Sequence, residues 1–199
     1  MIRWVAVGPL LLISLAIVGS PGPATISLVA AGSVYGVRRS LQYLIGIIVG
    51  TTLVLMAVAT GITAALLAVP AVGSVLIWIS AVYILWLAYH IATAPPLAEP
   101  TAASPTFSLA GGAVLGVANP KAWVAIAAVF ASARLADATT TDAAAKIALL
   151  TAMIIVICTA WLVAGTSIAP LLRDPRRARL VNAALAVGLV GATAIAVLH

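Results

Sequence analysis

The sequence predicts an all-α integral membrane protein. Six transmembrane helices form two inverted three-helix repeats, with helices 1 and 4 broken by proline motifs. Three observations lead there. First, the chain of 199 residues is 64% apolar and only 7% charged, with a mean hydropathy of +1.26. A soluble domain carries about 25% charged residues, and a soluble fold of this size has too little interior to hide so much apolar surface. Second, apolar runs of the ~20 residues needed to cross a bilayer recur along the chain. Third, two of these runs are interrupted at their polar centres, by Pro21 and by Pro120, 120 − 21 = 99 residues apart in a chain of 199.

The first helix runs from about Trp4 to Ser33. Its opening has the look of a secretory leader, with Arg3 ahead of the apolar stretch and Val18-Gly19-Ser20 as a cleavage site. Pro21 would then follow the cut and the apolar run continues to Ala31, so the segment is read as a spanning helix. The polar patch Tyr35 to Ser40 turns the chain into helix two, Leu41 to Val69, which Pro70 stops. Helix three runs from Val72 to Thr93. A proline-dense stretch, Ala94 to Pro105, forbids helix, and the linker between the halves is set at residues 99–106. Helix four spans Phe107 to Ala133, a Thr- and Ala-rich loop covers Arg134 to Asp142, and helix five spans Ala145 to Leu172. The basic loop Arg173 to Arg179 leads into helix six, Leu180 to Leu198. The halves 1–98 and 107–199 thus hold three helices each. An odd number per half sends the second half into the membrane upside down, which is the inverted-repeat arrangement.

The net charge of +6 and pI near 10.3 would suggest nucleic acid in a soluble protein. In a membrane protein, basic loops instead set orientation. The loops after helices one, three and five carry Arg38, Arg39, Arg173, Arg176, Arg177 and Arg179; the opposite side carries Arg3, Arg134 and Lys146. That asymmetry puts the first set in the cytoplasm and both termini outside, with Arg3 dissenting.

The breaks are where function is expected. Proline in a helix removes a backbone hydrogen bond and clashes one turn back, at ~3 kcal/mol. In lipid the freed groups are tolerated only when buried in protein or lining a cavity. Interrupted segments in corresponding places of two halves point to a transporter's binding site. One break reads Gly19-Ser20-Pro21-Gly22-Pro23-Ala24-Thr25, the other Gly116-Val117-Ala118-Asn119-Pro120-Lys121. Half-helix N-termini present free N–H groups and positive dipole ends that suit a carboxylate; the first halves end in free carbonyls that suit an ammonium. A zwitterionic amino acid carries both charges, though other small polar solutes also match. The candidate substrate-binding residues are Ser20, Pro21, Gly22, Pro23, Ala24, Thr25, Gly116, Asn119, Pro120 and Lys121. Lys121 is costly at mid-membrane, and the four acidic residues, Glu99, Asp137, Asp142 and Asp174, all fall in predicted loops. Its partner is then either the carbonyl end of the first half-helix or the substrate's carboxylate. Asn119 either binds substrate or satisfies carbonyls freed by the proline.

Other features read as structural. Cys158 is the single cysteine, which excludes an internal disulfide and a CxxC pair. Gly46-x-x-x-Gly50, and Gly188 with Gly191, are small-residue faces for close packing or for a homodimer. Tyr83, Trp86, Tyr89 and Trp4 suit the interfacial aromatic belt, with His90 beside them. No metal-ligand cluster, phosphate loop, dinucleotide fingerprint or nucleophile elbow occurs, so no enzyme activity and no cofactor are expected.

At these motifs the chain resembles the lysine exporter (LysE/RhtB) family of bacterial amino-acid exporters. The resemblance runs through Ser20-Pro21-Gly22-Pro23, Tyr35-Gly36-Val37-Arg38-Arg39, Gly46 to Gly50, Tyr83-Ile84-Leu85-Trp86-Leu87, Gly116 to Ala122 and the arginine-rich loop before helix six. It implies six helices in an inverted repeat, a bacterial plasma-membrane location, and export of amino acids driven by the proton gradient. Ala24 departs from the family pattern, where asparagine often follows Pro-Gly-Pro. The remaining alternatives are export of another solute or cation, and a non-transporting membrane subunit.

Overall fold

The structure, a computed structural model, describes residues 2–61, 78, 82, 84–93, 107–170 and 174–198, with side chains up to residue 191 in the last helix. The elements are α1 (Trp4–Val18), α2 (Pro23–Ala59), a helical stretch over residues 84–92, α3 (Leu109–Ala118), α4 (Pro120–Ser132), α5 (Thr139–Ile168) and α6 (Pro175–Leu198). Among the described residues all regular structure is helical. The expected linker, the first part of helix three and Tyr83 lie outside them.

Both proline motifs break their helices as expected. Neither Pro21 nor Pro23 has an N–H to donate, and Gly22 between them is fully extended at φ −165°, ψ −179°. The chain restarts with Pro23 as first helical residue, where its fixed φ suits the first turn and its missing N–H costs nothing. The second break is shorter. Asn119 alone is non-helical, Pro120 is again the first residue of the new helix, and α3 and α4 meet at a bend of 58°.

α2 is a hairpin of two helical arms. Gly36 takes φ 70°, ψ 174°, a conformation open to glycine and strained for other residues. Across it the Ser40 hydroxyl donates to the Ala31 carbonyl at 3.0 Å, nine residues back. In a straight helix nine residues span ~13.5 Å, so the chain reverses here. The arms are residues 23–35 and 37–59. The second runs to Ala59, followed by a turn in which Gly61 has φ 74°; the expected end at Val69 lies outside the described residues.

Glycines let the arms approach their neighbours. A Cβ on Gly46 would lie 2.1 Å from the Leu109 carbonyl oxygen, and one on Gly50 2.4 Å from that of Ala113. Both numbers rise together, so arm 37–59 runs parallel to α3. The Gly46–Gly50 face is therefore used inside the chain. Arm 23–35 crosses α5 with equal closeness, Gly32 against Leu162 and Gly165 against Val29. α1 and α4 run in opposite directions: Arg3 N–H donates to the Leu135 carbonyl at 2.7 Å at one end, and Lys121 reaches Ser20 at the other. Leu28, Tyr43, Ile47, Leu115 and Leu162 fill the interior, while Val5 (92% exposed), Leu12, Val124 and Val187 face outward. An outer surface this apolar suits lipid. By length and composition α2 and α5 can cross a membrane, and α3 with α4 counts as a third, broken span.

One expectation is corrected. Helix five starts at Thr139, not Ala145, so Asp142 lies in its first turn, 8% exposed, rather than in a loop. Its carboxylate accepts from the N–H groups of Leu135 (2.5 Å) and Ala136 (3.2 Å) and pairs with Lys146 at 2.9 Å. Lys146 also donates to the Phe130 carbonyl at 2.8 Å and sits over the Phe130 ring. An acid in the first helical turn with a lysine four residues on is favoured by both the helix dipole and the facing geometry. This buried pair ties the end of α4 to the start of α5. Outside it, Arg3 donates to Asp137 at 2.5 Å and holds that loop carboxyl below its ordinary range.

Candidate functional site

The two breaks meet. Pro21 and Lys121 are 100 residues apart in sequence, yet the Lys121 ammonium donates to the carbonyls of Ser20 and of Pro21, the latter at 3.2 Å. Of the two partners considered for Lys121, the structure holds it on the carbonyl end. Its path depends on Gly22, where a Cβ would lie 2.6 Å from Lys121 Cδ.

The other freed groups can be followed one at a time. At the first break, the Ser20 hydroxyl donates to the Ile17 carbonyl at 2.8 Å, and the Trp161 indole donates to Gly19 at 3.1 Å. Thr25 Oγ1 accepts the Gly22 N–H at 2.8 Å and donates to the Gly22 carbonyl at 3.0 Å. The N–H groups of Ala24 and Thr25 have no carbonyl one turn back within their helix. At the second break the Trp123 indole donates to Val117 at 2.7 Å, and the Ala122 N–H donates to the Asn119 carbonyl at 3.0 Å. A tryptophan thus caps each broken end. The Asn119 side chain is different: it is 5% exposed, and its Oδ1 accepts no hydrogen bond. Buried polar atoms without partners are rare enough to need a reason, and a ligand is one.

A cavity of about 40 Å³ lies between the breaks, space for about three water-sized centres at ~10–15 Å³ each. Five of the expected residues line it: Gly22, Ala24, Thr25, Asn119 and Lys121. Thr51 also lines it; its 26-residue separation from Thr25 would be ~39 Å in a straight helix, which independently requires the fold-back at Gly36. Ser20 and Pro21 contribute their carbonyls through Lys121, and Pro23 and Pro120 start the second half-helices. Gly116 packs instead against arm 37–59, where a Cβ would lie 2.8 Å from both the Ile47 oxygen and the Thr51 nitrogen.

The remaining wall comes from residues outside the candidate set, including Ala122, Ala125, Ile154 and Cys158. They give the cavity a largely apolar lining beside Thr25, Thr51, Asn119 and Lys121. His90 is elsewhere, exposed, with its ring 4.6 Å from that of Trp86. Trp86 and Tyr89 are also exposed, as an aromatic belt requires.

Comparison with known proteins supplies the family. Residues 15–198 match the family described as LysE type translocator. A cysteine/O-acetylserine efflux protein of Salmonella choleraesuis (strain SC-B67) is 41% identical over 81 residues, covering 40% of this chain and 41% of the relative. A protein of the same description from Escherichia coli (strain K12) is 36% identical over 87 residues, covering 43% and 44%. The chain thus spans about two fifths of the length of these relatives. No solved structure matches it. With the match covering nearly the whole sequence, the chain belongs to the LysE type translocator family.

Proposed function

We propose that the protein exports amino acids across a bacterial plasma membrane, as a secondary transporter driven by the proton gradient. The substrate is a zwitterion held between the two breaks. Its carboxylate lies at the N-terminus of arm 23–35, where the Ala24 and Thr25 N–H groups are free by helix geometry. Its ammonium lies at the carbonyls of Ser20 and Pro21, and Asn119 supplies the side-chain contact. The observation that carries this reading is the convergence of both breaks on one cavity, with a buried Asn119 Oδ1 that accepts no hydrogen bond. The small apolar wall around Ala122 and Ala125 favours a compact, uncharged side chain. Cysteine and O-acetylserine, named for the relatives, are both of that kind.

Six crossings in two inverted repeats place the breaks at equivalent depths. The opposite directions of α1 and α4 support that arrangement. The arginine count puts the loops after helices one, three and five in the cytoplasm and both termini outside. The deciding experiment loads cells or proteoliposomes with labelled amino acids and follows their loss. Faster efflux of a small neutral amino acid with the protein present is the expected result. Efflux of no amino acid, alongside transport of a cation or another solute, would replace this reading. A reporter fused after residue 199 that lights up in the cytoplasm would invert the orientation.

A further inference from the structure

The carbonyl pair that suits a substrate's ammonium already holds one. Lys121 Nζ is a primary ammonium, with the same three donors as the α-ammonium of an amino acid. It donates to both Ser20 and Pro21. The seat is shaped for it: Gly22 leaves the lysine stem its path, and a Cβ there would also lie 3.1 Å from Nζ. Two ammonium groups compete for these acceptors, because seated side by side with no carboxylate between them their like charges repel.

We infer that Lys121 is the proton-coupling group of this transporter, its protonated amine and the substrate's ammonium competing for one carbonyl seat. This rests on the zwitterion reading above. A displaced lysine keeps its proton only if it finds another acceptor or a counter-charge. The groups facing it are counted element by element. α1 brings Val18, and the two arms of α2 bring Ala24, Thr25 and Thr51. The α3–α4 break brings Asn119, whose Oδ1 is already a candidate for the substrate, and α5 brings Cys158 beside two isoleucines. Among the described residues, Cys158 is the other titratable group on this wall, and no Asp, Glu, His or Arg lines it. The Asp142–Lys146 pair belongs to the far end of α5 and is closed on itself. Lys121 is half-buried, and a cation moved off its acceptors into an apolar wall is driven toward the neutral form.

The cycle balances. Substrate entering from the cytoplasm takes the carbonyls, Lys121 passes its proton to the water on that side, and the amine is left neutral. After the substrate leaves outward, the amine takes a proton from the outer side and returns to Ser20 and Pro21. One N–H bond breaks and one forms, and one proton enters for each substrate exported.

The test measures binding of L-cysteine, kept reduced, to the purified full chain by titration calorimetry between pH 6 and 8. Release of one proton per bound substrate makes the wild-type Kd fall about tenfold for each pH unit gained. Buffers of different ionisation heat should count about one proton released. Lys121→Gln should bind with a pH-independent Kd and release none. Gly22→Ala pushes the lysine stem off its path, so binding at pH 6 should tighten and the slope should shrink. A wild-type Kd that is flat with pH overturns the inference, as does a wild-type slope in a monodisperse Lys121→Gln protein. If Lys121→Gln fails to fold, the wild-type proton count and Gly22→Ala still decide. Absence of cysteine binding at every pH defeats the small-zwitterion site itself, and this inference with it; flat but measurable binding defeats only the coupling.

Discussion

The two breaks use the same local chemistry to different ends. Each stops a helix with a proline at the first position of the next, and each is capped by a tryptophan indole, Trp161 on Gly19 and Trp123 on Val117. The first then offers only backbone: the carbonyls of Ser20 and Pro21, and the N–H groups after Pro23. The second offers side chains, Asn119 and Lys121. A site built from one passive break and one equipped break can hold charge without a carboxylate in its wall, because backbone dipoles supply the negative end. The asymmetry also says which half sets specificity. Backbone geometry accepts any amino acid, whereas Asn119 and Lys121 can be exchanged by mutation.

Removing the lysine should hit hardest. Lys121→Ala frees the Ser20 and Pro21 carbonyls for the substrate but removes the group that carries the coupled proton, so substrate should still bind while export stalls. Net export normalised to protein in the membrane should therefore fall to near that of cells lacking the protein. Full efflux from Lys121→Ala would make the second break as passive as the first, and would remove the contrast.

Next come the glycines that seat each broken span. Gly32→Ala forces a Cβ within 2.2 Å of the Leu162 oxygen, and Gly116→Ala within 2.8 Å of two arm 37–59 backbone atoms. Overpacking of this kind costs about 1–3 kcal/mol. Both variants should lose thermal stability in detergent, Gly32→Ala the more because its clash is the closer. A Gly116→Ala protein of unchanged stability but altered substrate affinity would return that glycine to the site.

How much of this was legible in the sequence follows from how far each cause reaches. The breaks at Pro21 and Pro120 are covalent facts of proline, so the motifs located them directly. Five of the ten candidate residues line the cavity because each break gathers its own neighbours. Gly116 could not be sorted the same way, since a motif does not say which face of its helix meets another backbone. The tryptophan caps were not legible: Trp161 reaches Gly19 across 142 residues, and nothing local marks it. Asp142 and Lys146 did carry a local signal in their i,i+4 spacing, but the three threonines before Asp142 read as loop when they form the opening of α5.

Thr25 and Asn119 sharpen the comparison at smaller scale, because they face one cavity with opposite duties. Thr25 Oγ1 is fully used, bonded to both the N–H and the carbonyl of Gly22. Thr25→Val should cost about 1 kcal/mol of stability through the lost cap. Asn119 Oδ1 accepts nothing within the protein, so Asn119→Ala should leave the melting temperature close to wild type. Its export KM should instead rise, by roughly tenfold for one lost hydrogen bond of about 1.4 kcal/mol. A large stability loss in Asn119→Ala with normal KM would make it a structural cap, the other role open to it.

The smallest effects should come from the two indoles, and they test the equivalence of the breaks most directly. Trp161→Phe and Trp123→Phe each remove one N–H from a broken-end carbonyl while keeping most of the ring's packing, at about 0.5–1.5 kcal/mol. As caps alone, the two should destabilise the protein equally. Their effects on transport should differ, because Gly19 is the residue next to Ser20, whose carbonyl seats Lys121, whereas Val117 is two residues from Asn119. Loosening Gly19 lets the seat drift, so Trp161→Phe should reduce efflux several-fold more than Trp123→Phe at matched melting temperatures. Equal efflux would mean the first break holds its geometry through Pro21 and Pro23 alone, with the indole serving only to satisfy a stranded oxygen.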